Sequence, residues 1–165
     1  MKWSEGVKLK IGSLRETAGN RRIFIARHGE STWNAQERWA GHDDPPLTDR
    51  GREQARDACR RLAAYPFQGV TSSPLLRARE TAVIFSKGLG IDLLEPVSEI
   101  MEIDAGNIAG LNSGEINLNY PGFIDKWRGG FPVDMPGGET WQEFTDRVIR
   151  GIYKLFSLGS PVLAV

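Results

Sequence analysis

Arg27 and His28 stand side by side in "IFIARHGESTWN", where a run of β-branched and aromatic residues gives way to Gly29. Arg77 sits in "TSSPLLRARETA", and Glu102 follows "EPVSEIM". Guanidiniums present forked N–H donors that match phosphoryl oxygens. An imidazole between two arginines is pushed toward its neutral form by like-charge repulsion, and a neutral ring nitrogen is a nucleophile. A carboxyl group can protonate a departing oxygen and take a proton back from water. Phosphoryl transfer needs those things together: an aimed nucleophile, neutralised oxygens and a proton for the leaving group. Gly29 would let the backbone come close to the phosphate. Taken singly, each residue has a plainer reading. "RHG" alone has little specificity, Arg77 and Arg79 fit the solvated face of a helix, and Glu102 is one surface carboxylate among many.

Convergence of these residues depends on the elements that carry them. "RRIFIA" reads as a buried strand that delivers Arg27 and His28 at its carboxyl end. From Thr48, a capping residue, Ala55, Ala58, Cys59 and Leu62 share one helical face, and Pro66 ends the pattern. "GVTSS" is a short strand, and Ser73-Pro74 predicts the start of a helix. That helix has Ala78, Thr81, Ala82 and Phe85 inward, with Lys87 and Gly88 closing it. "IDLLEPVSEI" reads as a third strand and its exit, ahead of Glu102. Residues 103–138 are rich in Gly and Asn and hold Tyr120, Phe123, Trp127 and Phe131. They form either a partly helical excursion over a site or an aromatic-packed surface loop. A capping box, Thr140 to Glu143, opens a last helix that buries Trp141, Phe144, Val148, Ile152 and Leu155. Gly159 ends it, and "VLAV" is a final strand.

Strands alternating with helices predict a single-domain α/β fold, with a mostly parallel sheet and helices on both faces. Functional groups in such sheets collect beyond the carboxyl ends of the strands, where Arg27, His28, Arg77 and Glu102 would meet. The domain covers residues 21–165, preceded by residues 1–20 as an extension or, from the alternation Val7 to Ile11, a lysine-guarded edge strand.

The chain has 165 residues, 40% hydrophobic and 25% charged, which suits one core. Its 21 basic and 21 acidic residues cancel, which argues against a globally basic nucleic-acid or membrane binder. Cys59 is the only cysteine, so no internal disulfide forms, and its place on an apolar helix face makes it core. Without a spanning apolar run or a signal-peptide core, the expectation is a cytoplasmic protein. A homo-oligomer stays open.

Five blocks, "RHGESTWN", "GHDDPPLTDRGREQA", "TSSPLLRARETA", "EIDAGNIAG" and "MPGGETWQEFTDRV", occur in order. They resemble the histidine phosphatase superfamily, the phosphoglycerate mutase-like proteins, from Ile23 to Val165. The resemblance implies that His28 becomes phosphorylated and that Arg27 and Arg77 hold the phosphoryl group. It implies further that Ser31 and Asn34 line the phosphate pocket and that Glu102 donates the proton, with Gly106 and Gly110 in register. It calls for no cofactor and no metal, and for a small phosphomonoester as substrate. Mutases of the family carry a long basic insertion before the "GGE" block. Here only Ile103 to Pro136 intervenes, with Lys126 and Arg128, which resembles the small phosphatases. Phosphoglycerate mutase-type transfer is the alternative.

The family's second histidine follows the last strand, and this sequence ends at "SPVLAV". The expectation is therefore a domain truncated at its last strand, with a sheet edge and part of the core uncovered. One donor to the phosphoryl group would be missing, a loss of roughly 10²–10³ in rate. A catalytically impaired phosphate-binding relic or fragment is accordingly a second alternative. His42 cannot take that histidine's role. With Asp43 and Asp44 it matches no metal-ligand spacing, and it reads as a loop or pocket-rim residue.

Overall fold

Three short strands, β1 (Ile23–Ile25), β2 (Gly69–Thr71) and β3 (Val162–Ala164), form a parallel sheet in the order β1-β3-β2. The structure is a computed structural model that describes residues 20–130 and 132–165. The strand expected over Val7 to Ile11 and the side chain of Phe131 therefore lie outside the described residues.

The last strand of the sequence is the middle one of the sheet. Val162, Leu163 and Ala164 lie in register with Ile23, Phe24 and Ile25 on one side and with Gly69, Val70 and Thr71 on the other. All three are buried, because a central strand between two covered faces has no solvated side. On β1, by contrast, Ile25 is 81% accessible.

Alternation along the strands sorts the core onto two faces. Phe24, Val70 and Leu163 pack with Ala55 and Cys59 of α2 (Asp49–Leu62) and Ala82 and Phe85 of α3 (Leu76–Leu89). Ile23 and Ala164 pack on the opposite face with Leu155 of α6 (Trp141–Ser157). Burying a side chain such as Leu163 contributes roughly 2 kcal/mol. The helices on both faces are those the pattern predicts.

Several local expectations shift. "IDLLEPVSEI" forms a single parallel bridge, Val70 to Leu93, rather than a strand. Val70 N donates to Asp92 O and Leu94 N to Val70 O, but the next donor falls at Pro96, which has no N–H. Val97 N bonds Ser72 O one residue late, so the ladder breaks. Helix α3 begins at Leu76, not at Ser73-Pro74. Its first free amide is met from a distance, by the Asp44 carboxylate accepting from Leu76 N. The same helix runs past Gly88 to Gly90, the left-handed terminator at φ 67°. Gly88 is where α3 meets α2: a Cβ there would lie 2.7 Å from the Cys59 sulfur. The apolar stripe of α6 is buried only at Leu155, while Trp141, Phe144, Val148 and Ile152 are half-exposed.

Residues 103–138 form the partly helical excursion. A short α1 (Thr32–Ala35) precedes Trp39, which packs against α4 (Ser113–Asn119) and α5 (Phe123–Arg128). This cap has its own core, with Ile108 and Ile116 fully buried.

Gly29 is small for a reason the sequence did not suggest. What its backbone approaches is α2: a Cβ on Gly29 would lie 2.2 Å from the Gly51 carbonyl oxygen. Gly29→Ala is expected to force α2 off the strand exit, destabilising the fold by about 1–3 kcal/mol. Urea unfolding reads this directly, and an unchanged midpoint refutes the packing argument.

Candidate active site

Two adjoining cavities open beyond the carboxyl ends of the strands, of about 290 Å³ and about 330 Å³. The side chains common to both linings are Arg27, His28, Arg77 and Glu102. The four residues picked out for their chemistry thus share one place, and the fold explains why. Residues Arg27 and His28 leave β1, Arg77 lies in the first turn of α3 after β2, and Glu102 follows the 3-10 turn Ser98–Ile100.

The ring of His28 has a defined tautomer. Nδ1 lies 2.7 Å from the Gly29 carbonyl oxygen, which can only accept, so Nδ1 carries the proton. Nε2 of the neutral ring then keeps its lone pair. Burial is the main influence that pulls the His28 pKa below its ordinary value, with Arg77 and Arg27 adding repulsion. The Gly29 bond and Glu102 oppose this without overturning it. Repulsion by the arginines is therefore real but second to desolvation. With the folded pKa below the unfolded one, protonation of His28 favours the unfolded chain, and its stability contribution falls as pH drops through 6.5. NMR titration of the two histidine rings is expected to put the His28 midpoint below 6.5. A midpoint at or above that value refutes the assignment.

The two arginines differ. Arg77 is 3% accessible and held by the carbonyl oxygens of Asp43 (2.8 Å) and Gly41 (2.9 Å), which leaves further N–H donors for an anion. Arg27 is exposed at the cavity mouth, and its guanidinium has no bonded partner among the described residues. Arg77 is held by the fold, whereas Arg27 reaches solvent. Glu102 is also exposed, with one carboxylate oxygen accepting from Ile103 N at 3.0 Å.

Ser31 and Asn34 part company. Ser31 is fully buried, and its hydroxyl and amide are spent with Asn34 in the capping box of α1, away from both cavities. Asn34 lines the larger cavity.

Sequence reasoning missed the brace behind Glu102. Arg147 of α6 donates from Nη1 to Glu99 O and Met101 O, both at 3.0 Å, and from Nη2 to Glu102 O at 3.1 Å. Glu139 pairs with the same guanidinium, at 2.6 Å from Nη2. That pairing and the Asp104 amide hold the Glu139 carboxyl below its ordinary pKa against the opposing effect of burial. A signal was present: Arg147 lies on the helix next to the apolar residues Phe144 and Val148. His42 is part of the same brace, with Nε2 donating to Glu102 O at 2.9 Å and Nδ1 3.9 Å from Asp104. Asp43 and Asp44 serve Arg77 and the start of α3. No three His, Cys, Asp or Glu side chains gather as metal ligands would among the described residues.

Residues 23–165 match the histidine phosphatase superfamily (branch 1). The chain belongs to this superfamily. Over 134 residues it is 34% identical to a 2,3-bisphosphoglycerate-dependent phosphoglycerate mutase of Methylobacterium radiotolerans, covering 78% of this chain and 63% of that protein. An uncharacterized phosphatase of Bacillus subtilis is 32% identical over 133 residues, covering 81% of this chain and 63% of that one. The chain thus spans under two thirds of the length of these relatives. Among solved structures, a mycobacterial glucosyl-3-phosphoglycerate phosphatase complexed with VO3 superposes with a TM-score of 0.78 at 27% identity. That match covers 88% of this chain and 74% of the mycobacterial one. The superfamily's α/β architecture is the one described above. No helix among the described residues is long and apolar enough to cross a membrane.

Proposed function

We propose that the chain hydrolyses phosphomonoesters in two displacements through a phosphohistidine on His28. The observation that carries this reading is the His28 ring, with Nδ1 turned to the Gly29 carbonyl oxygen, in a cavity it shares with Arg27, Arg77 and Glu102. In the first step Nε2 attacks phosphorus, an N–P bond forms and the P–O ester bond breaks. Arg27 and Arg77 neutralise the oxygens, and protonated Glu102 gives its proton to the leaving alcohol. In the second step Glu102, now a carboxylate, takes a proton from water. The water oxygen bonds phosphorus, the N–P bond breaks and inorganic phosphate leaves.

Mutase-type transfer shares the first step and differs in the acceptor, a second hydroxyl instead of water. Water is favoured here because, among the described residues, the cavity offers Arg27 and Arg77, while its third cation, Arg38, is already paired with Glu115. The test is to quench the chain during turnover of an aryl phosphate and map any adduct by mass spectrometry. An acid-labile, alkali-stable phosphoryl group on His28 is expected. Turnover with no such adduct, or an adduct on another residue, overturns the mechanism. Phosphate binding without turnover would instead support the impaired phosphate-binding reading.

A further inference from the structure

Beyond the phosphoryl end, the larger cavity is walled by Glu37, Arg38, Trp39 and Trp127. This wall faces whatever alcohol the phosphate is attached to. Its charges decide which alcohols fit. Arg38 keeps its charge, but its Nη1 is already committed, donating to the Gly110 carbonyl oxygen and pairing with Glu115 at 3.1 Å. Lys126 and Arg128 do not line the cavity. Glu37 has no side-chain partner among the described residues, and it is exposed, so its negative charge is uncompensated at the wall. It is also the one described non-glycine residue at positive φ, 55°, a conformation L-residues adopt at a cost.

The aromatic part of the wall is packed ring against ring. The Trp39 and Trp127 rings meet edge to face at 5.3 Å, and Trp39 in turn meets Phe123 at 5.9 Å. Trp127 is half-buried, so part of its indole stays open to the cavity. Flat indole surface takes the apolar face of a ring, aromatic or sugar.

We infer that this wall selects phosphomonoesters whose leaving group is uncharged and carries an apolar face, and disfavours those bearing a carboxylate. The inference rests on the phosphomonoester reading above and names the class of ester. A carboxylate at the far end would lie against Glu37, beside an Arg38 that is already paired with Glu115. Discrimination then comes from repulsion as much as from attraction. Glu37 and Trp127 are the residues that set it.

Binding tests this separately from turnover. In a His28→Ala background, calorimetric titrations with glycerol phosphate and 3-phosphoglycerate compare two esters that differ chiefly in a hydroxymethyl against a carboxylate. Glycerol phosphate is expected to bind more tightly, and Glu37→Gln to narrow the gap about fivefold, the order of one partly exposed charge pair. Trp127→Leu keeps apolar volume but loses the flat face. It is expected to weaken phenyl phosphate about tenfold while leaving inorganic phosphate unchanged. Equal or tighter binding of 3-phosphoglycerate, or a gap indifferent to Glu37→Gln, overturns the inference. So does equal weakening of phenyl phosphate and inorganic phosphate by Trp127→Leu. The expected selectivity in a chain whose parent turns nothing over would uphold the wall and sink the hydrolytic reading. Failure of every ester to bind would overturn both.

Discussion

His28→Ala is expected to lose phosphomonoester hydrolysis by about 10⁴-fold or more, the scale on which removal of a catalytic nucleophile is felt. The loss should fall on kcat, because alanine leaves Arg27 and Arg77 to bind the phosphate. Folding should survive. The ring is half-buried beside open cavity, and its one hydrogen bond goes to the neighbouring Gly29 carbonyl. His42→Ala is the matched control. It removes one donor to the Glu102 carbonyl, while Arg147 still holds the same oxygen at 3.1 Å, so most activity should remain. The measurement is initial-rate hydrolysis of an aryl phosphate without added metal, with circular dichroism to confirm folding. Equal rates for the parent and the His28 variant would remove His28 from the mechanism.

The parts of this site that were legible in the sequence are those built from local signals. Strand β1 announces itself by its β-branched run and delivers Arg27 and His28 at once. The blocks that resemble the superfamily carry Arg77 and Glu102 to the same cavity. The less legible parts depend on groups distant in the chain. The start of α3 is decided by Asp44, 32 residues upstream, rather than by Ser73-Pro74. Gly29 is needed for its contact with Gly51, which no local pattern shows. The would-be strand after Ile91 fails because one residue, Pro96, lacks a donor. Ser31 carries the right residue type for a phosphate contact, yet its hydroxyl is claimed by a helix cap three residues away. In each case the residue was visible and its partner was not.

Arg147 shows the same gap on the functional side, and it yields the second large effect. Its guanidinium ties the carbonyls of Glu99, Met101 and Glu102 to α6, so it fixes the backbone from which the Glu102 carboxyl projects. A planar fork can serve several acceptors at once, whereas an ammonium cannot reproduce that geometry. Arg147→Lys should therefore keep much of the attraction to Glu139 yet loosen the Glu102 segment. Small displacements of a positioned group cost about 10²-fold in rate. The expected result is kcat lowered by 10- to 100-fold with little change in KM, since Arg27 and Arg77 are untouched. Arg147→Met goes further, leaving Glu139 largely buried without its partner at a cost of about 3–5 kcal/mol in stability. Because the folded Glu139 pKa lies below its ordinary value, the pair's stability is present above about pH 4.5 and is lost as pH falls through the folded pKa. Arg147→Met should remove that acid-linked loss, because a buried carboxylate without its cation gains from protonation. A purely structural role would lower stability in both variants and leave kcat of the folded lysine variant unchanged. A selective loss of kcat in Arg147→Lys, with folding intact, identifies Arg147 as the residue that aims the proton donor.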